Sequence, residues 1–116
     1  MSLDVRSPKE FGGEGGKFTN PEQLFAAGWA ACFNSAMQVA AMRKKIDISN
    51  TSIKVTISIG RDDDRVSYKL AADIELIAPG MIAGDANYLL EEAHKFCPYS
   101  KATRGNIDVK LHAKLK

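Results

Sequence analysis

Residues 53–76 read IKVTISIGRDDDRVSYKLAADIEL, and the alternation in this stretch decides what the rest of the chain must build. Ile53, Val55, Ile57 and Ile59 are separated by Lys54, Thr56 and Ser58. Beyond a polar turn, Val66, Tyr68, Leu70, Ala72, Ile74 and Leu76 alternate with Ser67, Lys69, Asp73 and Glu75. Successive side chains on a strand point to opposite faces, so period two predicts two half-buried strands. Asp62, Asp63 and Asp64 lie in the turn between them, Gly60 to Arg65. The other ligands of a calcium loop are absent, and a polar hairpin turn is the expectation.

An apolar sheet face has to be covered, and the flanking segments supply helices. Residues 20–45 read NPEQLFAAGWAACFNSAMQVAAMRKK. Asn20 suits the N-cap, Pro21 the first helical position and Gln23 the capping-box position. Arg43, Lys44 and Lys45 place positive charge at the helix C-terminus, where the dipole favours it. Leu24 to Met42 is apolar and nearly long enough to span a bilayer. Its many alanines, with Asn34, Ser35 and Gln38, predict a buried core helix instead of a membrane span. Ala78, Pro79 and Gly80 break the second strand, and a second helix is expected from about Met81 to Phe96. Its stripe is Ile82, Ala86, Leu89, Leu90, Ala93 and Phe96. A last strand alternates Ile107, Val109, Leu111, Ala113 and Leu115 with polar residues. Upstream, Leu3 to Arg6 forms a short candidate strand, and FGGEGGKF, residues 11–18, a glycine-rich loop. That loop lacks the Gly-Lys-Ser/Thr ending of a phosphate loop. The expected order is strand, helix, two strands, helix, strand: an α+β domain spanning 1–116, with a mostly antiparallel sheet and two main helices.

Composition narrows the function. The chain has 116 residues, enough for one core, with 16 basic and 14 acidic residues. That balance argues against a nucleic-acid or membrane-surface partner. No charged start followed by an apolar run suggests secretion, so the expectation is a cytoplasmic protein in which two cysteines stay reduced.

The two cysteines are the candidates for chemistry. Cys32 lies among Ala30, Ala31 and Phe33, where a cysteine is usually a small buried hydrophobe and its thiol inert. Cys97 directly precedes Pro98. If Pro98 opens a new helical turn, Cys97 is its N-cap and the dipole favours a thiolate. Equally, Cys97 ends the preceding helix, and the residues leave both readings open. His94, three positions earlier, shares a helix face with Cys97 and offers a Cys-His pair. His112 falls on the polar face of the last strand and is expected to be solvated. With no Cys-x-x-Cys pair among Cys32, His94, Cys97 and His112, no metal site is expected.

Residues 20–33, NPEQLFAAGWAACF, resemble the peroxidatic-cysteine helix of the organic hydroperoxide resistance (Ohr) proteins, within the wider OsmC/Ohr family. Residues 93–109, AHKFCPYSKATRGNIDV, resemble the resolving-cysteine segment of the same proteins. The resemblance covers nearly the whole chain and implies the OsmC/Ohr-like fold, assembled as an intertwined homodimer. It implies that Cys32 is the peroxidatic thiol and Cys97 the resolving one. The reaction implied is reduction of organic hydroperoxides, those of fatty acids included, with no resident cofactor. A lipoyl dithiol, as dihydrolipoamide or a lipoylated protein, is the implied external reductant. Phe25, Trp29, Phe33 and Met37 are candidates to line an apolar pocket for the alkyl group, and each is also a candidate core residue.

One part of the family pattern is missing. The family activates its thiolate with an arginine held by a glutamate, and the glutamate matches Glu22. The arginine belongs to strands expected to precede the first residues of this chain, so the N-terminal strands are expected to be missing. Arg6, Lys17 and Arg104 are the candidate substitutes. Glu22 and Cys32 are ten residues apart, about 15 Å along a straight helix. Glu22 therefore reaches Cys32 of its own chain only if the helix breaks, for which Gly28 is the candidate; otherwise Glu22 must come from a partner. Two further readings compete: a catalytically impaired dimer acting as a redox-sensing or binding module, and a hydrolase using Cys97 with His94.

Overall fold

A computed structural model describes residues 2–13, 16 and 18–116. After a short 3-10 turn at Lys9–Phe11 come helix α1 (Pro21–Lys44), strands β1 (Ser52–Arg61) and β2 (Tyr68–Ile77), helices α2 (Ala83–Phe96) and α3 (Pro98–Thr103), and strand β3 (Asp108–Lys114). Part of the glycine loop, including Lys17, lies outside the described residues.

Helix α1 starts where expected: the Asn20 side chain accepts the Gln23 backbone N–H at 2.8 Å. Gln23 does not complete a capping box, because its Oε1 takes the Thr19 hydroxyl at 3.0 Å. Lys45 ends the helix in a left-handed conformation, φ 56°, a position usually held by glycine. Among the described residues no helix is long and apolar enough to cross a membrane. The candidate strand at Leu3–Arg6 shrinks to one bridge between Val5 and Thr19. β2 begins at Tyr68, later than its alternation suggests, because the Asp64 carboxylate accepts the N–H groups of Val66 and Ser67 at 2.9 Å each. Those bonds hold the aspartate-rich turn closed and pull its carboxyl below the usual range.

The sheet order is β1-β2-β3. β1 and β2 pair antiparallel, with Val55 opposite Ile74, while β3 joins parallel, with Leu111 opposite Ile74. The sheet is thus mixed, its longer ladder antiparallel. The α2–α3 crossover is what brings β3 back in the same direction as β2. Trp29, Phe33 and Met37 of α1 and Leu89, Leu90 and Ala93 of α2 cover the central strand face, burying Ala72, Ile74 and Leu76. On the edge strand β1 the same face, Ile53, Val55, Ile57 and Ile59, is half-buried.

Candidate active site

Cys97 turns out to satisfy both readings of its position. Its N–H donates to Ala93 O at 2.8 Å, ending α2, and its carbonyl accepts the Lys101 N–H at 2.9 Å, starting α3 with Pro98 at the first position. Because Pro98 lacks an N–H and disfavours a helical predecessor, the chain turns at Cys97, whose backbone is extended. The elbow aims the buried thiol at α1. Cys97 Sγ lies 3.3 Å from Cys32 Sγ, and both thiols are free.

Cys32 is half-buried. Burial pushes its thiol up from the ordinary value; the Tyr99 backbone N–H bonds the sulfur and pulls it back, while Cys97 pushes it up further. Among the described residues no cation is in the groups acting on it. Arg6 engages Asp4 at 3.9 Å and the Phe18 ring at 4.9 Å. Arg104 donates from Nη2 to the His94 carbonyl at 2.8 Å. The third candidate substitute, Lys17, lies outside the described residues.

The four apolar candidates separate. Phe25 is half-buried, stacks on Tyr99 at 6.1 Å and sits 5.3 Å from Trp29, centroid to centroid. Trp29, Phe33 and Met37 are wholly inside the core. Sequence reasoning missed two neighbours of the thiols. Tyr99 lies over Gly28, where an added Cβ would stand 3.4 Å from its ring. Ser100, fully buried, accepts the Trp29 indole N–H at 3.1 Å. The only signal for either was its position just after Cys97.

Glu22 is not at this site within the chain. α1 runs unbroken through Gly28, which leaves Glu22 about 15 Å along the axis from Cys32. Its Oε2 is buried without a hydrogen-bond partner among the described residues. It borders a cavity of about 510 Å³ lined by Pro8, Phe11, Ala26 and the core face of β1. His94 has no hydrogen bond to Cys97; its Nδ1 is buried and unpartnered, and burial, then Arg104, pulls its pKa down. That leaves a Cys-His catalytic pair without its contact. His112 is not simply solvated: Nε2 meets Asp73 at 2.6 Å and Nδ1 meets Glu75 at 3.5 Å on the outer sheet face. Among the described residues no cluster of His, Cys, Asp and Glu is placed to hold a metal ion.

A family model described as OsmC-like protein matches residues 13–112. "Organic hydroperoxide resistance protein-like 2" of Staphylococcus epidermidis is 52% identical over 93% of this chain and 76% of its own length. "Organic hydroperoxide resistance protein OhrA" of Bacillus subtilis is 45% identical over 82% of this chain and 67% of its own. Among solved structures, an organic hydroperoxide resistance protein from Legionella pneumophila superposes with a TM-score of 0.89 at 42% identity, covering 99% of this chain and 82% of its own.

Proposed function

This chain belongs to the OsmC-like protein family, and we propose that it reduces organic hydroperoxides to alcohols with Cys32 and Cys97, in the cytoplasm. The observation that carries this is the 3.3 Å approach of the two sulfurs, from residues 65 positions apart. The Cys32 thiolate attacks the terminal oxygen of the hydroperoxide. The O–O bond breaks, the alcohol leaves with a proton, and Cys32 becomes a sulfenic acid. The Cys97 sulfur then displaces that oxygen as water and an S–S bond forms. The sulfurs need to approach from 3.3 Å to about 2.05 Å. A lipoyl dithiol, free or protein-bound, reopens the disulfide by exchange and is itself oxidised.

Among the described residues no cation acts on the raised Cys32 thiol, and Glu22 is out of reach in its own chain. A homodimer answers both points if Glu22 of a second copy, with a cation it holds, reaches Cys32. The half-buried face of β1 supports such an assembly. The same raised thiol also favours a second reading, a catalytically impaired dimer acting as a redox-sensing or binding module.

Turnover of cumene hydroperoxide with dihydrolipoamide separates these readings. Cys32→Ser abolishes turnover, and Cys97→Ser leaves a sulfenic acid on Cys32, trapped by dimedone and seen by mass spectrometry. Full activity in Cys32→Ser overturns the peroxidase reading, and a folded wild-type protein with no turnover favours the second.

A further inference from the structure

The hydrogen bond between Trp29 and Ser100 is not used by the chemistry above, yet its placement mirrors that of the thiols. Trp29 precedes Cys32 by three residues on α1, and Ser100 follows Cys97 by three on α3. The bond therefore joins the same two helices as the sulfur pair, less than one helical turn from each sulfur. Donor and acceptor residues are both 0% exposed. An indole has a single N–H and no acceptor of its own, so in a dry core its direction is set by its partner. Apolar packing alone fixes contact but not direction.

The short helix α3 has few other polar ties to α1. It has no side-chain cap at its N-terminus. The Thr103 hydroxyl bonds carbonyls within the same helix, those of Tyr99 at 2.9 Å and Ser100 at 3.2 Å. Arg104 bonds the last turn of α2. The second polar tie from α3 to α1 is the Tyr99 N–H, which ends on the Cys32 sulfur itself. That sulfur changes charge and substituents during the proposed cycle, whereas Trp29 and Ser100 do not react.

We propose that the Trp29–Ser100 hydrogen bond is a clasp that keeps Cys97 in attack position while Cys32 is oxidised. Trp29 and Ser100 are then positioning residues for the resolving step, which rests on the peroxidase reading above. In that step the Cys97 sulfur supplies an electron pair to the Cys32 sulfur and the S–O bond breaks. The hydroxyl leaves with the Cys97 proton as water. Loosening α3 moves the attacking sulfur, and a displacement of about 1 Å slows a reaction of this kind by up to ~100-fold.

Two readouts on Ser100→Ala test the clasp. In the first, Cys32 sulfenic acid is trapped over time after one equivalent of cumene hydroperoxide. Its conversion to the disulfide slows about tenfold or more, and slows further than its formation does. In the second, the Cys32–Cys97 disulfide is equilibrated against a lipoyl dithiol/disulfide buffer with no peroxide present. The effective concentration of one thiol at the other falls about tenfold. The paired variant Trp29→Phe with Ser100→Ala leaves no lone buried donor and serves both readouts if Ser100→Ala alone does not fold. A merely structural contact predicts that the paired variant forms its disulfide like wild type in both, and that result overturns the clasp. Failure of the wild type to form a sulfenic acid counts against the peroxidase reading alone, since the second readout needs no peroxide.

Discussion

Helix α1 passes through two contrasting environments. Around Cys32 its inner side is tightly packed: Trp29, Cys97 and Ser100 are wholly buried, Cys32 itself is half-buried, and the sulfurs already touch. Around Glu22, in the first turn, it borders a cavity of about 510 Å³, with a buried carboxylate oxygen lacking a partner among the described residues and a half-buried strand face opposite. The first region brings its two thiols together within one chain; in the second, Glu22 Oε2 has no partner among the described residues. The approach of the two sulfurs is thus intramolecular, while among the described residues no cation acts on Cys32. A buried acceptor without a donor is costly enough to call for a partner.

The largest effect separating the two regions comes from mixing variants. Glu22→Gln and Cys32→Ser are each expected to abolish turnover as homodimers. Coexpressed, they regain activity at one site per mixed dimer, where Cys32 from one chain meets Glu22 from the other. A mixture as inactive as its components breaks the division of the site between copies. The next effect is on stability. Ile74→Ala, in the buried face of β2, costs about 2–5 kcal/mol at any protein concentration. Ile57→Ala, on the half-buried face of β1, costs roughly 1–2 kcal/mol in a dilute single chain. Its cost rises with protein concentration if a second copy covers β1, and urea unfolding at two concentrations reads this; an unchanging cost removes β1 from the interface. The smallest effect is at Gly28. The added methyl meets the Tyr99 ring at ordinary contact distance, 3.4 Å. Gly28→Ala therefore stabilises the chain by about 1 kcal/mol through helix propensity, raising Tm. A lower Tm would show that Tyr99 needs the glycine gap.

Much of the fold was legible because its signals are local. Alternation in residues 53–76 reports burial of one strand face, and Asn20-Pro21 reports a helix start; both survive in three dimensions. The strand expected at Leu3–Arg6 is reduced to one bridge, between Val5 and Thr19. The parallel direction of β3 depends on a crossover that periodicity does not encode. At the site, Cys32 and Cys97 were legible through the segments around them. Trp29 appeared as a pocket candidate because an aromatic on an apolar helix face has the same pattern whether it meets a ligand or the core. Ser100 was invisible, since a serine after a helix start is ordinary until an indole N–H is found pointing at it.

By itself the sequence determined the elements and the chemistry available: an apolar helix carrying one thiol, a second thiol before a proline, and two alternating strands. Those follow from residue type and spacing, which act over a few positions. Tertiary structure alone decided that the two thiols meet at 3.3 Å and that Trp29 grips Ser100 across 71 positions. Each of these depends on how separate helices dock, and docking is settled by packing summed over the whole core.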